Sequence, residues 1–155
     1  MRMVLQRVSY GAVTIEGNET RSIGPGLVVL VGFGQQDSEK EVDYLASKMV
    51  ELRIFGDENG QMNRSLLEVQ GECLLVSNFT LYANAKKGRR PSFIDSLPPE
   101  KATLLFDYLA ESVGAKGIST KTGEFGAKME VLVKNDGPIT IILDSEQIMP
   151  KKTTE

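Results

Sequence analysis

Apolar positions recur along this chain in two rhythms. Met3 to Val8 and Ala12 to Glu16 read as two strands, joined by Ser9-Tyr10-Gly11. Residues 17–20 read as a loop, and Gly24-Pro25-Gly26 as a turn. Leu27 to Phe33 is a continuous, β-branched apolar run between glycines, the pattern of a buried central strand. The rhythm then changes. Val42, Leu45, Met49 and Leu52 repeat at helical intervals with Ala46 and Val50 beside them, which predicts a helix from Ser38 to about Leu52. Ser38 and Glu41 have the spacing of a capping box. Arg53-Ile54-Phe55 starts another strand, Asp57 to Gly60 turns, and residues 61–70 read as irregular or a single helical turn.

Glu72 to Val76 is again strand-like and buried, and it runs into Ser77-Asn78-Phe79-Thr80. Pro98-Pro99-Glu100 opens a second helix, with Ala102, Leu105, Phe106, Leu109 and Val113 on its apolar side and Gly114 at its end. Ile118 to Thr122 is a strand. Lys128 to Lys134 and Ile139 to Asp144 then flank Asn135-Asp136-Gly137, turn chemistry that predicts a hairpin. Pro138 is out of place there, because a proline after the hairpin glycine cannot donate to a ladder. An ordinary Gly-Pro turn and a stiff backbone probe both remain open.

Strands and helices do not alternate, so a doubly wound sheet is disfavoured. The expected class is α+β, a mostly antiparallel β-sheet or partial barrel with two amphipathic helices. Residues 1–145 read as one domain, and residues 146–155 as a C-terminal tail expected to be flexible.

Composition narrows the chemistry. The 155 residues are 41% hydrophobic and 25% charged, and a chain of this size buries about two-thirds of its unfolded surface. No secretory signal or apolar membrane span is visible and there is one cysteine, Cys73, which points to the cytoplasm. The absence of histidine removes the Ser-His-Asp triad, the Cys-His dyad and His-ligated zinc together. Proton transfers must then fall to carboxylates, Lys, Tyr, the backbone, water or the substrate. No glycine stretch matches a nucleotide-binding loop, so no cofactor is read.

Two stretches remain as candidates beside Asn135 to Pro138. Ser77, Asn78, Phe79 and Thr80 gather polar groups where a buried strand emerges, and backbone N–H groups there suit a tetrahedral oxyanion. Lys86, Lys87, Arg89 and Arg90 place four cations in five positions. They fit a solvated loop or a phosphate backbone, and the net charge of −3 argues against an indiscriminate nucleic-acid binder. Cys73 reads as a small buried hydrophobe and Arg7 as a solvated strand residue.

Taken together, several blocks resemble the D-aminoacyl-tRNA deacylase family. They are the opening Met1 to Val8 with Gln6-Arg7-Val8, Ile23 to Leu27, Leu52 to Phe55, Ser77 to Leu81, Lys87 to Phe93, Thr122 to Ala127, Asn135 to Thr140 and Leu143 to Ser145. They span residues 1–145 in one order. The family carries Ser-Gln-Phe-Thr and Asn-x-Gly-Pro-Val/Ile-Thr. Here the second is intact and the first has Asn78 for the usual Gln, one methylene shorter.

The resemblance implies hydrolysis of D-aminoacyl-tRNA by a homodimer. Gly137 and Pro138, joined by a cis bond, would cross into the partner's site and exclude L-amino acids with two carbonyls. Asn135 belongs to the same motif. Arg7 would brace the loop, and Phe125 and Met129 would pack against the terminal adenosine. Thr80 would be a positioning hydroxyl rather than a nucleophile, since no base lies nearby in sequence. A non-catalytic tRNA-binding module is the alternative.

Overall fold

The computed structural model describes residues 1–151. Its elements are β1 (Arg2–Ile15), β2 (Glu19–Ile23), β3 (Gly26–Gly32), α1 (Glu39–Glu51), β4 (Phe55–Gly56), β5 (Met62–Arg64), α2 (Leu66–Val69), β6 (Glu72–Ser77), α3 (Pro99–Ala115), β7 (Thr120–Thr122), β8 (Met129–Asp144) and α4 (Ser145–Ile148), with a 3-10 turn at Phe79–Tyr82. β1 is the spine. It pairs antiparallel with β3 through Arg2 to Val8, with β2 through Gly11 to Ile15, and with β8 along its whole length. β6 and β7 extend the sheet beyond β3 in parallel, so the order is β2-β1-β3-β6-β7 with β8 beside β1. The α+β class holds. The sheet is mixed, and two short helices join the two long ones.

Period-two alternation in β3 and β6 feeds two apolar clusters, which is why those runs are apolar throughout. Leu27, Val29, Val31, Cys73 and Leu75 face a large cluster with α1 and α3, while Val28, Leu74 and Val76 face a smaller one behind the sheet. β1 changes sides partway. Met3 and Leu5 enter the large cluster, whereas Val13 and Ile15 enter the small one. The register explains this. Val8 pairs with Asn135 and Tyr10 with Lys134, so Ser9 is an extra residue and the alternation slips by one. The expected break at Ser9-Tyr10-Gly11 is therefore a bulge within one strand.

The expected hairpin is also corrected. Both arms of β8 run antiparallel to β1 in the same direction, because β1 is long enough to pair with each. Gln6 faces Thr140 and Val8 faces Asn135, leaving the four residues Asp136 to Ile139 opposite Arg7 alone. The turn chemistry thus makes a large bulge, not a reversal.

α1 forms as expected. Ser38 and Glu41 complete a capping box, and Val42, Leu45, Ala46, Met49 and Val50 are buried. Residues 19–23, expected to begin in a loop, form β2 from Glu19. Residues 61–70 contain β5 and the single-turn α2, capped by Ser65 and Glu68. α3 continues past Gly114 to Ala115.

α4 (Ser145–Ile148) occupies the first residues of the stretch expected as a tail. α4 follows β8 directly, Tyr44 donates to the Ile148 carbonyl at 3.2 Å, and the buried Met1 ammonium donates to Ser145 Oγ at 2.7 Å and pairs with Asp37 at 2.6 Å. Residues 152–155 lie outside the described residues. No helix among the described residues is long and apolar enough to cross a membrane.

Candidate active site

β6 delivers Ser77 to the sheet edge, where the Asn78 N–H donates to the Val31 carbonyl at 2.7 Å. The chain then tightens into the 3-10 turn, with Leu81 N–H donating to the Asn78 carbonyl at 3.3 Å. Gly32 allows this close approach. A Cβ there would sit 2.9 Å from Leu81 Cβ and 3.0 Å from the Asn78 carbonyl oxygen. Arg2 donates to the Leu81 carbonyl at 2.8 Å, pairs with Asp144 at 3.0 Å and lies 4.4 Å over the Tyr82 ring. Ser96 Oγ donates to the Phe79 carbonyl at 3.1 Å. The turn is therefore held from several sides.

Above it lies a cavity of about 520 Å³. Ser77, Asn78 and Phe79 line one part, Phe125, Gly126, Ala127 and Met129 another, and Phe93, Ser96 and Leu97 a third. Phe125 is fixed by Phe106, their ring centroids 6.1 Å apart. No lining residue is charged.

The N–H groups of Phe79 and Thr80 open the turn and have no acceptor among the described residues, as expected of first-turn donors. The Thr80 hydroxyl donates to Asn78 Oδ1. An amide oxygen is no base, so this contact orients Thr80 without activating it. Thr80 itself is exposed and outside the cavity wall.

Two other groups are withdrawn from chemistry. Burial pushes the Cys73 thiol up to about 12, and burial with the nearby Asp37 and Asp144 carboxylates raises the Tyr82 phenol as well. Neither ionises readily near neutral pH. The site offers oriented dipoles and shape but no proton-transfer group of its own.

The second signature forms a separate feature on β8. The Gly137–Pro138 peptide bond is cis and both residues are exposed. Gly137 has φ +124°, and a Cβ there would meet Ile139 Cγ1 at 2.8 Å and Ile139 N at 3.0 Å, so a side chain is excluded. Asn135 Nδ2 ties the neck of the bulge, donating to the Arg7 carbonyl at 3.1 Å and the Ile139 carbonyl at 3.0 Å. Arg7 is not a solvated strand residue. Its Nε donates to the Asp136 carbonyl at 3.3 Å and pairs with the Asp136 carboxylate at 3.4 Å, and Nη1 donates to the Ile54 carbonyl at 2.8 Å.

Within one chain the two features do not meet. Met129 lines the cavity and Asn135 begins the bulge, six strand residues or roughly 20 Å further along. Ser77, Asn78, Phe79, Phe125 and Met129 come together around the cavity. Arg7, Asn135, Gly137 and Pro138 come together at the bulge.

Lys86, Lys87, Arg89 and Arg90 are exposed in a loop closed by paired backbone hydrogen bonds between Asn84 and Ser92, and none forms an ion pair among the described residues. Sequence reasoning missed Ile54, whose backbone anchors Arg7, and Arg2, which anchors the turn. Both lay inside recognised blocks, Ile54 in Leu52 to Phe55 and Arg2 in Met1 to Val8, but their roles come from contacts distant in sequence. Phe93 lay inside a recognised block, yet its place on the cavity wall was not foreseen.

A family model described as D-Tyr-tRNA(Tyr) deacylase matches residues 4–144. A protein of Syntrophomonas wolfei named D-aminoacyl-tRNA deacylase is 53% identical over 96% of this chain and 99% of its own length. A Bacillus velezensis protein of the same name is 50% identical over 95% of this chain and 100% of its own. Among solved structures, a c-Myc DNA Unwinding Element Binding Protein superposes with a TM-score of 0.86 at 38% identity, covering 94% of this chain and 99% of that one. A probable eukaryotic D-amino acid tRNA deacylase shares the fold, with a TM-score of 0.80 at 19% identity over 92% and 97% of the two chains.

Proposed function

The chain belongs to the D-Tyr-tRNA(Tyr) deacylase family, and on that premise we propose that it hydrolyses the ester bond of D-aminoacyl-tRNA, releasing a free D-amino acid and tRNA. The terminal adenosine lies against Phe125 and Met129, and the ester carbonyl faces the turn at Phe79. Water adds to the carbonyl carbon, and the N–H groups of Phe79 and Thr80 stabilise the developing oxyanion. The ester C–O bond then breaks, and the proton from water passes to the ribose oxygen, assisted by the neighbouring ribose hydroxyl. Positioning supplies much of the rate, since the ester is already activated and the protein brings no base. Ser77 and Asn78 shape the wall, and Asn78 holds the Thr80 hydroxyl in place.

Chirality is read by a second copy of the chain. In a homodimer, Gly137–Pro138 of one protomer enters the cavity of the other. Their carbonyls leave room for a hydrogen on the α-carbon and clash with a side chain, so L-esters are rejected by backbone. Glycyl-tRNA, with no side chain to reject, is hydrolysed as well. The observation that carries this reading is the exposed, braced Gly137–Pro138 bulge, roughly 20 Å of strand from its own cavity. Lys86, Lys87, Arg89 and Arg90 contact the tRNA backbone. The enzyme works in the cytoplasm, where its substrate is made.

The test is ester loss from D-tyrosyl-tRNA and L-tyrosyl-tRNA side by side, with a control lacking protein. Rapid loss of the D-ester with the L-ester at background is expected. The exposed cations of the Lys86 to Arg90 loop also favour a second reading, a non-catalytic tRNA-binding module, which predicts salt-sensitive tRNA retention with neither ester lost.

A further inference from the structure

Two phenylalanines stand at the mouth of the cavity, outside the adenosine wall. Phe79 is 57% exposed and Phe93 40% exposed. Their rings meet edge to face, with centroids 5.1 Å apart and an interplanar angle of 70°. Both line the cavity, so the pair is continuous with the site. The backbone under each ring is fixed. Ser96 Oγ donates to the Phe79 carbonyl at 3.1 Å, Ser92 and Asn84 exchange backbone hydrogen bonds at 2.8 and 2.9 Å, and the Gln35 amide donates to the Ile94 carbonyl. Rings left facing solvent on so firm a support have the form of a stacking surface rather than a frayed loop.

The charge beside them selects the occupant. From Ala83 to Ile94 the chain contains Lys86, Lys87, Arg89 and Arg90 and no acidic residue. An aromatic pair joined to a cationic loop is the combination that binds single-stranded nucleic acid, with a base on the ring and phosphates on the cations. An aminoacyl end seated against Phe125 and Met129 shares its cavity with these two rings.

We propose that Phe79 and Phe93 form a stacking platform for the base of the nucleotide preceding the terminal adenosine, with the Lys86 to Arg90 loop holding the phosphates beyond it. This rests on the deacylase reading and adds a second nucleotide subsite to it. The ring of Phe79 then serves recognition while its backbone serves the ester.

The test uses the trinucleotide cytidine–2-aminopurine–adenosine, whose central fluorescent base quenches when it stacks. Saturable quenching by the wild-type protein is expected. Phe93→Leu, which keeps an apolar side chain without a ring, should weaken binding of the trinucleotide roughly 10-fold and abolish the quenching, and Phe93→Tyr should restore both. An equal rise in KM for D-tyrosyl-tRNA should accompany Phe93→Leu. Thermal unfolding of each variant checks that the loop change leaves the fold intact.

Quenching that survives Phe93→Leu, or rings that a second copy shields from the probe, would overturn the platform. The same preparations are assayed on D-tyrosyl-tRNA. Ester loss without quenching defeats the platform alone. Ring-dependent quenching without ester loss supports the platform and defeats the deacylase reading.

Discussion

Asn135 and Thr80 are each held by side-chain hydrogen bonds, one at the bulge and one in the turn beneath the cavity. Asn135 has both amide hydrogens committed, to the Arg7 and Ile139 carbonyls across the neck of the bulge. Asn135→Ala leaves two half-buried carbonyls without donors, a cost of about 1–3 kcal/mol. Thermal unfolding should move down by several degrees, and the preference for D- over L-tyrosyl-tRNA should fall more than the D-ester rate does. Thr80 spends its hydroxyl proton on the Asn78 amide, which orients it without activating it. Thr80→Ser should therefore stay near wild-type turnover. Thr80→Ala frees the Asn78 amide from that contact and should lose about tenfold in turnover, roughly 1.4 kcal/mol in the barrier. Equal turnover of the alanine and serine variants would remove Thr80 from the mechanism. At this scale much was legible in sequence, because both signatures are contiguous. What Asn78 does in place of Gln was not, since its partner is set by the fold of the turn.

Strands and helices differ in how far local pattern reaches. α1 was legible to within a residue because its cap and apolar stripe are local. β8 was not. Its odd-numbered apolar residues face the small cluster at Met129, Val131 and Val133 and the large one at Ile139, Ile141 and Leu143. A period-two pattern looks the same from either face, so the change of side across the bulge left no trace. β2 was missed because Glu19-Thr20-Arg21 is polar and is a strand only through its pairing with β1. β6 carries a testable consequence of burial. The Cys73 thiol, ordinarily near 9.0, is pushed up to about 12 in the folded chain. Between these values the unfolded chain sheds a proton that the folded chain keeps. Its contribution is fully present below about pH 9 and is lost as pH rises toward 12. Urea midpoints of wild type should fall more steeply between pH 8.5 and about 10.5 than those of Cys73→Val.

In the whole molecule, one chain keeps the cavity and the Gly137–Pro138 bulge apart. The cavity gathers Ser77 to Phe79 with Phe125 and Met129, and the braced bulge lies further along β8 on an exposed surface. This separation was invisible in sequence, which gives the order of the motifs and not the distance between them, and it is the physical reason the proposed chirality mechanism calls on a second copy.

Mixed dimers test that most directly. Pro138→Ala alters the probe and leaves the cavity open, and should hydrolyse L-tyrosyl-tRNA as well as the D-ester. Ala127→Trp fills the cavity and leaves the probe intact. With excess Ala127→Trp protein refolded alongside, nearly every open cavity should face an intact Gly137–Pro138. L-ester loss should return to background while D-ester loss persists. L-ester loss that continues unchanged in the mixture would contradict the account, because the cavity would then not be read by its partner.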